Sequence, residues 1–342
     1  MGKSPMISVV MAVYNGKKFL AEAIESILNQ TWTDFEFIIV NDGSRDNSLK
    51  IINRYAKKDS RIVVISRKNM GLVQSLNEGI AIAKGEYLAR IDADDIALPT
   101  RFEKQVEFLK NHPDISILGT FIKPFGDSAV KDLVVCENWF NPSLNPENVE
   151  ATFLDRAAIC HPSIMGRTEL FKSMQYRDKY YCAEDYDLWL RSLKAGYKIW
   201  VLDEILLRYR IHKKSKTNTD AAIPEKTLNE VMNIKLDYFV ERFDEEKPNC
   251  LIWGGGSGGE RLLKALQQKF KAVSVIGYVD SFKSGTINGV PIYHPEQIKS
   301  VKFDFIFLAT ITGKTKSIEY LTQIGLKPIR DFVYVFNGAD EA

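Results

Sequence analysis

The sequence predicts an α/β protein in which helices cover a largely parallel sheet, followed by a second, smaller α/β domain. Apolar runs rich in Ile and Val alternate with amphipathic segments of helical length, which is typical of this fold class. The 342 residues exceed what one hydrophobic core usually organises, so we expect two domains. We place the first domain at residues 1–215, a helical linker at 216–248 and the second domain at 249–342.

The first domain should begin with strands and helices in alternation. Its opening apolar run is far shorter than the ~20 residues of a membrane helix, and we interpret it as a buried strand. Because the carboxyl ends of parallel strands share one sheet edge, the loops after them should bind ligands. The predicted strands are residues 7–13, 35–41, 62–66 and 86–91, and the predicted helices are residues 18–29, 48–57 and 72–83.

Tyr14 and Asp42 follow the first two predicted strands. An aspartate in this place can accept hydrogen bonds from a uracil imide or a ribose, and the tyrosine can offer its ring face to the base. Asp42 is followed by Gly43 and Ser44, and this trio is also ordinary turn chemistry. Either residue alone is a weak indication, whereas the two together indicate a nucleotide site.

The run Asp92-Ala93-Asp94-Asp95 follows the strand at residues 86–91. Carboxylates crowded in this way repel one another unless a cation lies between them, and a divalent metal would resolve the repulsion. A metal there would also neutralise the charge that grows on a leaving diphosphate. The alternative is a solvated acidic turn that caps the helix opening near Pro99.

The composition indicates which partners the protein can bind and in which cellular compartment it works. The formal net charge of +2, with basic residues scattered among acids, argues against a nucleic-acid partner. The four cysteines lie far apart in the sequence, which favours a reduced, cytoplasmic protein. Peripheral attachment to the inner face of a membrane is compatible with this composition, because such attachment needs no membrane span.

Many short motifs occur in order between residues 7 and 105. They are Val13-Tyr14-Asn15, Ser26-Ile27-Leu28-Asn29-Gln30-Thr31, Phe35-Glu36, Asn41-Asp42-Gly43-Ser44, Asn69-Met70-Gly71-Leu72, Leu76-Asn77 and Ala83-Lys84-Gly85-Glu86-Tyr87. With the acidic run, this stretch resembles the inverting family 2 glycosyltransferases of the GT-A fold. The resemblance implies these donor-site residues: Tyr14 and Asp42 at the nucleoside, Ala12 and Asn69 beside them, Asp92 near the ribose, and Asp94 on a Mn²⁺ or Mg²⁺ ion.

Glu184-Asp185 looks like the E-D motif of the same family, at the start of a helix. The resemblance makes Asp185 the candidate base, because an inverting transfer needs one carboxylate to take the acceptor hydroxyl's proton. The alternative is that both acids simply cap the helix. Similar enzymes often carry a histidine after this helix, so His212 is a candidate metal ligand. His161 could shape the acceptor side or be purely structural.

Residues 249–342 begin again as a strand at 250–253, followed by a glycine-rich loop, a helix at 260–269 and a strand at 273–279 that ends at Asp280. This order fits a dinucleotide fingerprint with Gly254, Gly256, Gly259 and Asp280 as candidate nucleotide-binding residues. Only about two more strands follow, at 303–309 and 332–335, which makes a complete NAD site doubtful.

This tail resembles the small Rossmann-like domain of bacterial nucleotide-sugar acyltransferases, through the glycine loop, Gly277-Tyr278-Val279-Asp280 and Gly289-Val290-Pro291-Ile292. Three roles stay open for it: a scaffold or homo-oligomerisation domain, a second nucleotide-sugar or regulatory site, and a redox domain.

The resemblance implies a metal-dependent transfer from a nucleotide diphosphate sugar, expected to be a UDP-sugar, to a glycan or lipid-linked acceptor in bacterial surface polysaccharide synthesis. The basic residues 213–219 could form a loop over the diphosphate or a solvated linker. Two other classes of enzyme stay as alternatives. A nucleotidyltransferase would usually carry a glycine- and arginine-rich loop after its first strand, and an NAD-dependent oxidoreductase would leave Asp92, Asp94 and Asp185 without a task.

Overall fold

The computed structural model describes residues 4–127, 129–212, 223–270, 273–310 and 313–336. The chain divides into two compact units, one from the described parts of Met1–Val149 and Ala158–Ala221, the other from those of Glu150–Ala157 and Ala222–Ala342. A helix at Ile223–Glu246, which the sequence suggested as part of a linker, lies within the second unit. The predicted boundaries at 215 and 248 stay predictions, and the predicted basic loop at 213–219 lies outside the described residues.

The predicted alternation of strands and helices up to residue 91 is confirmed, with bounds that differ by a few residues at most. In chain order to residue 211 the elements are β1 (Ile7–Val13), α1 (Leu20–Leu28), β2 (Phe35–Asp42), α2 (Ser48–Ala56), β3 (Ile62–Arg67), α3 (Leu72–Ile82), β4 (Tyr87–Arg90), β5 (Ile96–Ala97), α4 (Arg101–Asn111), β6 (Ile115–Gly126), α5 (Val130–Phe140), α6 (Val149–Asp155), β7 (Met165–Arg167), α7 (Thr168–Met174), α8 (Glu184–Lys194) and β8 (Lys198–Ile211).

One mixed sheet of eight strands organises the first unit, in the order β3-β2-β1-β4-β7-β6-β8-β5. β1 pairs in parallel with both β2 and β4, and β2 pairs in parallel with β3. β7 is antiparallel to both β4 and β6, and β6 is parallel to β8. β8 therefore runs in the same direction as β1, β2 and β4, so the carboxyl ends of these four strands lie at the same edge of the sheet.

The apolar pattern of the central strands explains their place in this sheet. β1 and β2 are almost completely buried, as expected for strands covered on both faces. Met11 of β1 and Phe37 of β2 belong to the same core cluster as Ile24 of α1 and Phe102 of α4. This core fixes the strands whose ends carry the polar residues of interest.

The second unit is built on a six-stranded sheet, parallel except at one edge. Its strand order is β11-β12-β10-β9-β13-β14, and only the β11–β12 pair is antiparallel. The sequence did not predict the short strands β11 and β12. The elements are α9 (Ile223–Glu246), β9 (Asn249–Trp253), α10 (Ser257–Lys269), β10 (Ser274–Val279), β11 (Thr286–Ile287), β12 (Val290–Tyr293), β13 (Phe305–Leu308), α11 (Lys314–Gln323) and β14 (Phe332–Tyr334).

Lys235 of α9 is completely buried in the second unit. Its Nζ donates hydrogen bonds to the backbone carbonyl oxygens of Asp155, Tyr334 and Phe336, at 3.1, 3.0 and 3.1 Å respectively. An ammonium group has three donors, so the three carbonyls match its full capacity. One side chain thus ties α9 to the end of α6 and to the segment around β14.

Replacing Lys235 with Met is expected to destabilise the second unit by about 3 kcal/mol, because buried acceptors left without donors cost about 1–3 kcal/mol each and loss of the buried charge offsets part of this. Amide exchange of α9 and β14 peptides, followed by mass spectrometry, should accelerate about 100-fold while first-unit peptides keep their rates. Lys264→Met, at an exposed position on α10, is the matched control. Equal exchange in both variants would contradict the role of Lys235.

None of the helices in the described part of the chain is both long and apolar enough to cross a membrane.

Candidate active site

The loop after β2 is organised around the carboxylate of Asp42. Its Oδ1 accepts from Arg67 and from the backbone N–H of Met70 at 2.8 Å. Its Oδ2 accepts from Asn69 Nδ2 at 3.0 Å and from the backbone N–H of Gly71 at 2.9 Å. A carboxylate offers about four acceptor sites, so all of them are engaged. The predicted contact of Asp42 with a nucleoside stays a prediction, and it would require one of these donors to be displaced.

Gly43 explains how this loop approaches the end of β2. Its φ is +68°, and a Cβ at this position would lie 2.5 Å from the backbone nitrogen of Asn69. Only glycine allows both the left-handed backbone and the close contact. Gly43 therefore forms the turn that was predicted as the alternative to a nucleotide site. This turn belongs to the same loop that surrounds Asp42.

Tyr14 is the residue directly after β1, and 51% of its surface is exposed. The neighbouring Asn15 has a left-handed φ of 53° and is bonded to the next loop: its N–H donates to Ser44 Oγ at 3.0 Å, and its Oδ1 accepts from the Arg45 N–H at 2.8 Å. Ala12, two residues earlier in β1, is half-buried. The Tyr14 ring is thus held by a fixed turn and remains accessible to a planar ligand.

The acidic run forms one cluster at the end of β4. Oxygen atoms of Asp92, Asp94 and Asp95 all lie within 4.8 Å of one another. Asp92 is paired with both terminal nitrogens of Arg90, and the Asp94 side chain meets His212, with 2.9 Å between Oδ2 and Nε2. The structure therefore brings the two predicted metal ligands, Asp94 and His212, into contact across 118 residues of sequence.

Strand pairing explains why His212 reaches the acidic cluster. The short strand β5 follows the cluster directly and is antiparallel to β8, with Ile96 opposite Arg208 and Ala97 opposite Leu207. Continuing this register toward lower numbers on β5 and higher numbers on β8 sets the acidic run beside the end of β8. His212 is the residue immediately after β8.

Asp95 is the buried member of the cluster, with 1% of its surface exposed. Its Oδ1 accepts from the backbone N–H of Arg210 at 2.7 Å, whereas its Oδ2 has no hydrogen-bond partner among the described residues. Burial raises the pKa of Asp95 well above its usual range, and the charges of Asp92 and Asp94 raise it further. The cluster therefore stores electrostatic repulsion that a cation would relieve.

The donor set fits a divalent cation. Carboxylate oxygens and an imidazole nitrogen suit Mn²⁺, and carboxylates with water suit Mg²⁺. Asp94 Oδ2 and His212 Nε2 are 2.9 Å apart, so both side chains would be close enough to hold the same cation. The unpartnered Asp95 oxygen adds a further acceptor next to this pair. The alternative of a simple helix cap is not supported, because the N-cap residue of α4 is Thr100 and the side chain that accepts from its first turn, at the Phe102 N–H, belongs to Gln30.

Asp185 lies in the first turn of α8 with 27% of its side chain exposed. Its Oδ1 accepts from the N–H of Tyr186 at 2.7 Å, and its Oδ2 lies 4.0 Å from His161 Nδ1. The N-cap residue of α8 is Ala183, so neither acid of the motif serves as the N-cap. The acid with a structural role is Asp187, which is buried and accepts from Arg177 and Arg191.

Tyr176 and Arg90 connect the two acidic motifs. The Tyr176 hydroxyl lies 2.6 Å from His161 Nε2. Burial raises the pKa of Tyr176, the charge of Arg90 opposes this, and the carboxylates of Asp185, Glu184 and Asp92 raise it further. Burial lowers the pKa of Arg90, but Asp92 and Glu184 are among the neighbours whose charges raise it overall. Charges of both the acidic cluster and the α8 acids therefore act on Arg90 and Tyr176.

The sequence did not single out Arg90, Tyr176 or Arg210. Arg90 stands two residues before Asp92, and residues two apart lie on the same side of an extended chain, which is a signal that could have paired them. Tyr176 and Arg210 gave no such signal, because their partners are distant in the sequence.

Three of the four predicted nucleotide-binding residues of the second unit line a cavity of about 860 Å³ at the carboxyl ends of the parallel strands. Gly254, Gly256 and Asp280 line it. Gly259 does not, and a Cβ there would lie 1.9 Å from the Gly254 carbonyl oxygen, so this glycine serves the close packing of α10 on the loop. Asp280 accepts backbone N–H bonds from Gly255, Phe282 and Lys283.

Comparison with known proteins places these features in a family. The family model described as Glycosyl transferase family 2 matches residues 8–174, and a second model, described as C2185-like, N-terminal, matches residues 246–327. The predicted resemblance of the second domain to nucleotide-sugar acyltransferases is not confirmed and stays a prediction.

Related chains and structures agree with the first match. An uncharacterized glycosyltransferase of Methanocaldococcus jannaschii is 38% identical over 210 residues, covering 60% of this chain and 71% of that protein. The O-antigen biosynthesis glycosyltransferase WbnJ of Escherichia coli is 35% identical over 229 residues, covering 64% of this chain and 85% of that protein.

The crystal structure of S. aureus TarS in complex with UDP-GlcNAc shares the fold, with a TM-score of 0.56 at 19% identity, covering 78% of this chain and 81% of that one. The predicted GT-A, Rossmann-like α/β fold is thereby confirmed for the first unit. The chain belongs to glycosyltransferase family 2.

Proposed function

We propose that this glycosyltransferase is a metal-dependent, inverting enzyme that uses a nucleotide diphosphate sugar, with a UDP-sugar as the favoured donor. The observation that carries the proposal is the contact of Asp94 with His212 beside the acidic cluster at the end of β4. Asp94 Oδ2 and His212 Nε2 lie 2.9 Å apart, and the charges of Asp185 and of Asp92 in the cluster both act on Tyr176. Such a place can hold a diphosphate on one side and a hydroxyl acceptor on the other.

In the proposed reaction, Asp185 takes the proton of the acceptor hydroxyl, whose oxygen forms a bond to the anomeric carbon. The bond from that carbon to the diphosphate oxygen breaks, and its electron pair leaves with the nucleoside diphosphate, so the configuration inverts. A Mn²⁺ or Mg²⁺ ion, held by Asp94 and His212 with Asp92 and Asp95 beside them, would neutralise the charge on this leaving group. In this proposal the exposed ring of Tyr14 stacks on the nucleobase of the donor.

The acceptor and the biological setting are proposed from the relatives. WbnJ is named for O-antigen biosynthesis, and the acceptor proposed here is likewise a glycan or a lipid-linked sugar used in a bacterial surface polysaccharide. Such an enzyme would work on the cytoplasmic side, with or without peripheral contact to the membrane.

Calorimetric titration of the purified protein with UDP, GDP, CDP and NAD, each with and without Mn²⁺, tests the proposal. Mn²⁺-dependent binding of one nucleoside diphosphate is the expected result, and UDP is the expected ligand. Binding of NAD alone would contradict the proposal and favour the oxidoreductase alternative. Release of pyrophosphate from a nucleoside triphosphate would favour the nucleotidyltransferase.

The cavity of the second unit supports a second candidate function, a separate site for a nucleotide or nucleotide sugar. Lys316 lines it together with the glycine loop and the first residues of α10. A Cβ at Gly256 would meet nothing within 4 Å, and its φ of −94° suits any residue, so this glycine leaves open space at the helix start, where phosphate groups bind well. Asp280 is engaged by backbone donors, so binding through a ribose contact at Asp280 would need a rearrangement.

Gly256→Asp tests this second site without straining the backbone. The added carboxylate would lie where a phosphate is expected and should lower nucleotide affinity of the second site at least tenfold, while Mn²⁺-dependent binding at the first site is unchanged. Calorimetry with two-site analysis measures both. Identical titrations of the variant and the unmodified protein would reject a nucleotide site in this cavity.

A further inference from the structure

Arg210, near the carboxyl end of β8, forms hydrogen bonds with the acidic cluster and with α1 in addition to its place in the sheet. Its Nε donates to the backbone carbonyl oxygen of Asp94 at 2.7 Å, and its Nη2 pairs with Glu22 of α1. Its backbone N–H donates to Asp95 Oδ1 at 2.7 Å. One residue therefore holds the acidic turn from both its backbone and its side chain.

The same guanidinium also packs between two aromatic rings. Its central carbon lies 4.2 Å from the Phe19 ring centroid and 4.3 Å from that of Phe125. Phe19 in turn contacts the imidazole of His212, with 4.9 Å between ring centroids. Arg210 thus supports Phe19, and Phe19 lies against His212, so the guanidinium reaches both predicted metal ligands: Asp94 by a hydrogen bond and His212 through a ring.

We infer that Arg210 is a positioning residue that holds Asp94 and His212 in the geometry a divalent cation needs. The inference rests on the proposed function, because it assumes that these two side chains bind the cation. Groups that orient metal ligands from behind typically change metal affinity by about 10–100-fold when removed. Arg210 suits this task because its planar, fixed charge can form hydrogen bonds and stack on rings at the same time.

Charge and positioning predict opposite signs for the effect of removing Arg210. A guanidinium beside a cation site repels the cation, so its loss by itself should strengthen Mn²⁺ binding. Loss of positioning should weaken Mn²⁺ binding, because Asp94 and His212 would then lose conformational entropy when the ion binds. A fall in affinity therefore cannot come from the charge alone.

Arg208 provides a matched control. It is exposed, and its guanidinium stacks on the same Phe125 ring, with 4.2 Å to the centroid. Arg208→Met removes the same charge and the same kind of stacking from a position two residues away. Arg210→Met removes, in addition, the contacts to Asp94, Glu22 and Phe19.

The experiment measures Mn²⁺ affinity of the full chain by electron paramagnetic resonance, without nucleotide or acceptor. We expect about tenfold weaker binding in Arg210→Met, intermediate binding in Arg210→Lys, and affinity within twofold of the unmodified protein in Arg208→Met. Thermal unfolding in EDTA checks that each variant is folded. If Arg210→Met does not fold, Arg210→Lys carries the comparison.

Two results would overturn the inference in distinguishable ways. Unchanged or tighter Mn²⁺ binding in Arg210→Met, or equal weakening in Arg208→Met, together with a clear loss in Asp94→Asn, would remove the positioning role and leave the proposed function intact. Unchanged Mn²⁺ binding in Asp94→Asn and His212→Ala would show that the metal site itself lies elsewhere, and the role of Arg210 would fail with it.

Discussion

Replacing Asp185 with Asn is expected to lower kcat by about 1,000-fold, within the 10²–10⁴ range typical of a lost general base. Asn keeps the size of the side chain and an oxygen that can accept from the Tyr186 N–H, the contact that Asp185 Oδ1 makes at 2.7 Å. It cannot take a proton from the acceptor hydroxyl. Affinity for the nucleoside diphosphate with Mn²⁺ should stay within about twofold, because donor binding does not use this proton transfer.

Asp187→Asn, two residues along α8, is the matched control for this test. Asp187 is buried and accepts from Arg177 and Arg191, so its replacement should lower thermal stability and leave the chemical step of the folded enzyme largely intact. Single-turnover rates at saturating donor separate the chemical step from product release. A chemical rate in Asp185→Asn close to that of the unmodified enzyme would exclude Asp185 as the base.

The residues that sequence reasoning placed well are those whose position follows from local chain direction. Tyr14 directly follows β1, Asp42 is the last residue of β2 and Asp92 lies two residues after β4. The carboxyl ends of parallel strands lie at one edge of the sheet. Hydrophobic periodicity was sufficient to predict those strands, since β1 and β2 are buried along almost their whole length. The candidate donor side of the site could therefore be predicted without any long-range information.

The residues that sequence reasoning missed depend on pairings that have no local signal. Arg210 meets Asp94 only because the two-residue strand β5 pairs with β8, and so short a strand cannot be recognised from periodicity. Residues 123–156 carried no predicted element, yet they contain the end of β6 and the helices α5 and α6. Their apolar residues are mixed with polar ones, and packing within the fold selects their conformation.

Asp42 shows a different limit of the sequence. Its place after β2 was predicted, but its partners were not, because the donors Met70 and Gly71 belong to the loop after β3 and act through their backbone. A backbone N–H has no sequence signature. Asp42, which was predicted to bind a ligand, therefore also holds the loop after β3 in place through hydrogen bonds to its backbone.

Replacing Asp94 with Ala is expected to abolish the Mn²⁺-dependent part of nucleoside diphosphate binding, a loss of at least 100-fold in affinity when Mn²⁺ is present. Asp94 is the carboxylate that meets His212 at 2.9 Å, so the variant loses one ligand and the partner that orients the other. Affinity measured in EDTA should be nearly the same in the variant and the unmodified enzyme, because the proposed nucleoside contacts, Tyr14 and Asp42, do not belong to the acidic cluster.

The melting temperature of Asp94→Ala, measured without and with metal, provides a second, independent test of Asp94. The charges of Asp92 and Asp94 help to raise the pKa of the buried Asp95, so the three carboxylates repel one another in the protein without a cation. Removing Asp94 relieves part of that repulsion, and the melting temperature of Asp94→Ala in EDTA should therefore equal or exceed that of the unmodified protein. Added Mn²⁺ should raise the melting temperature of the unmodified protein only, since a ligand stabilises the state that binds it. A rise of equal size in the variant would mean that the cation binds without Asp94, and Asp94 would then lose its proposed role as a metal ligand.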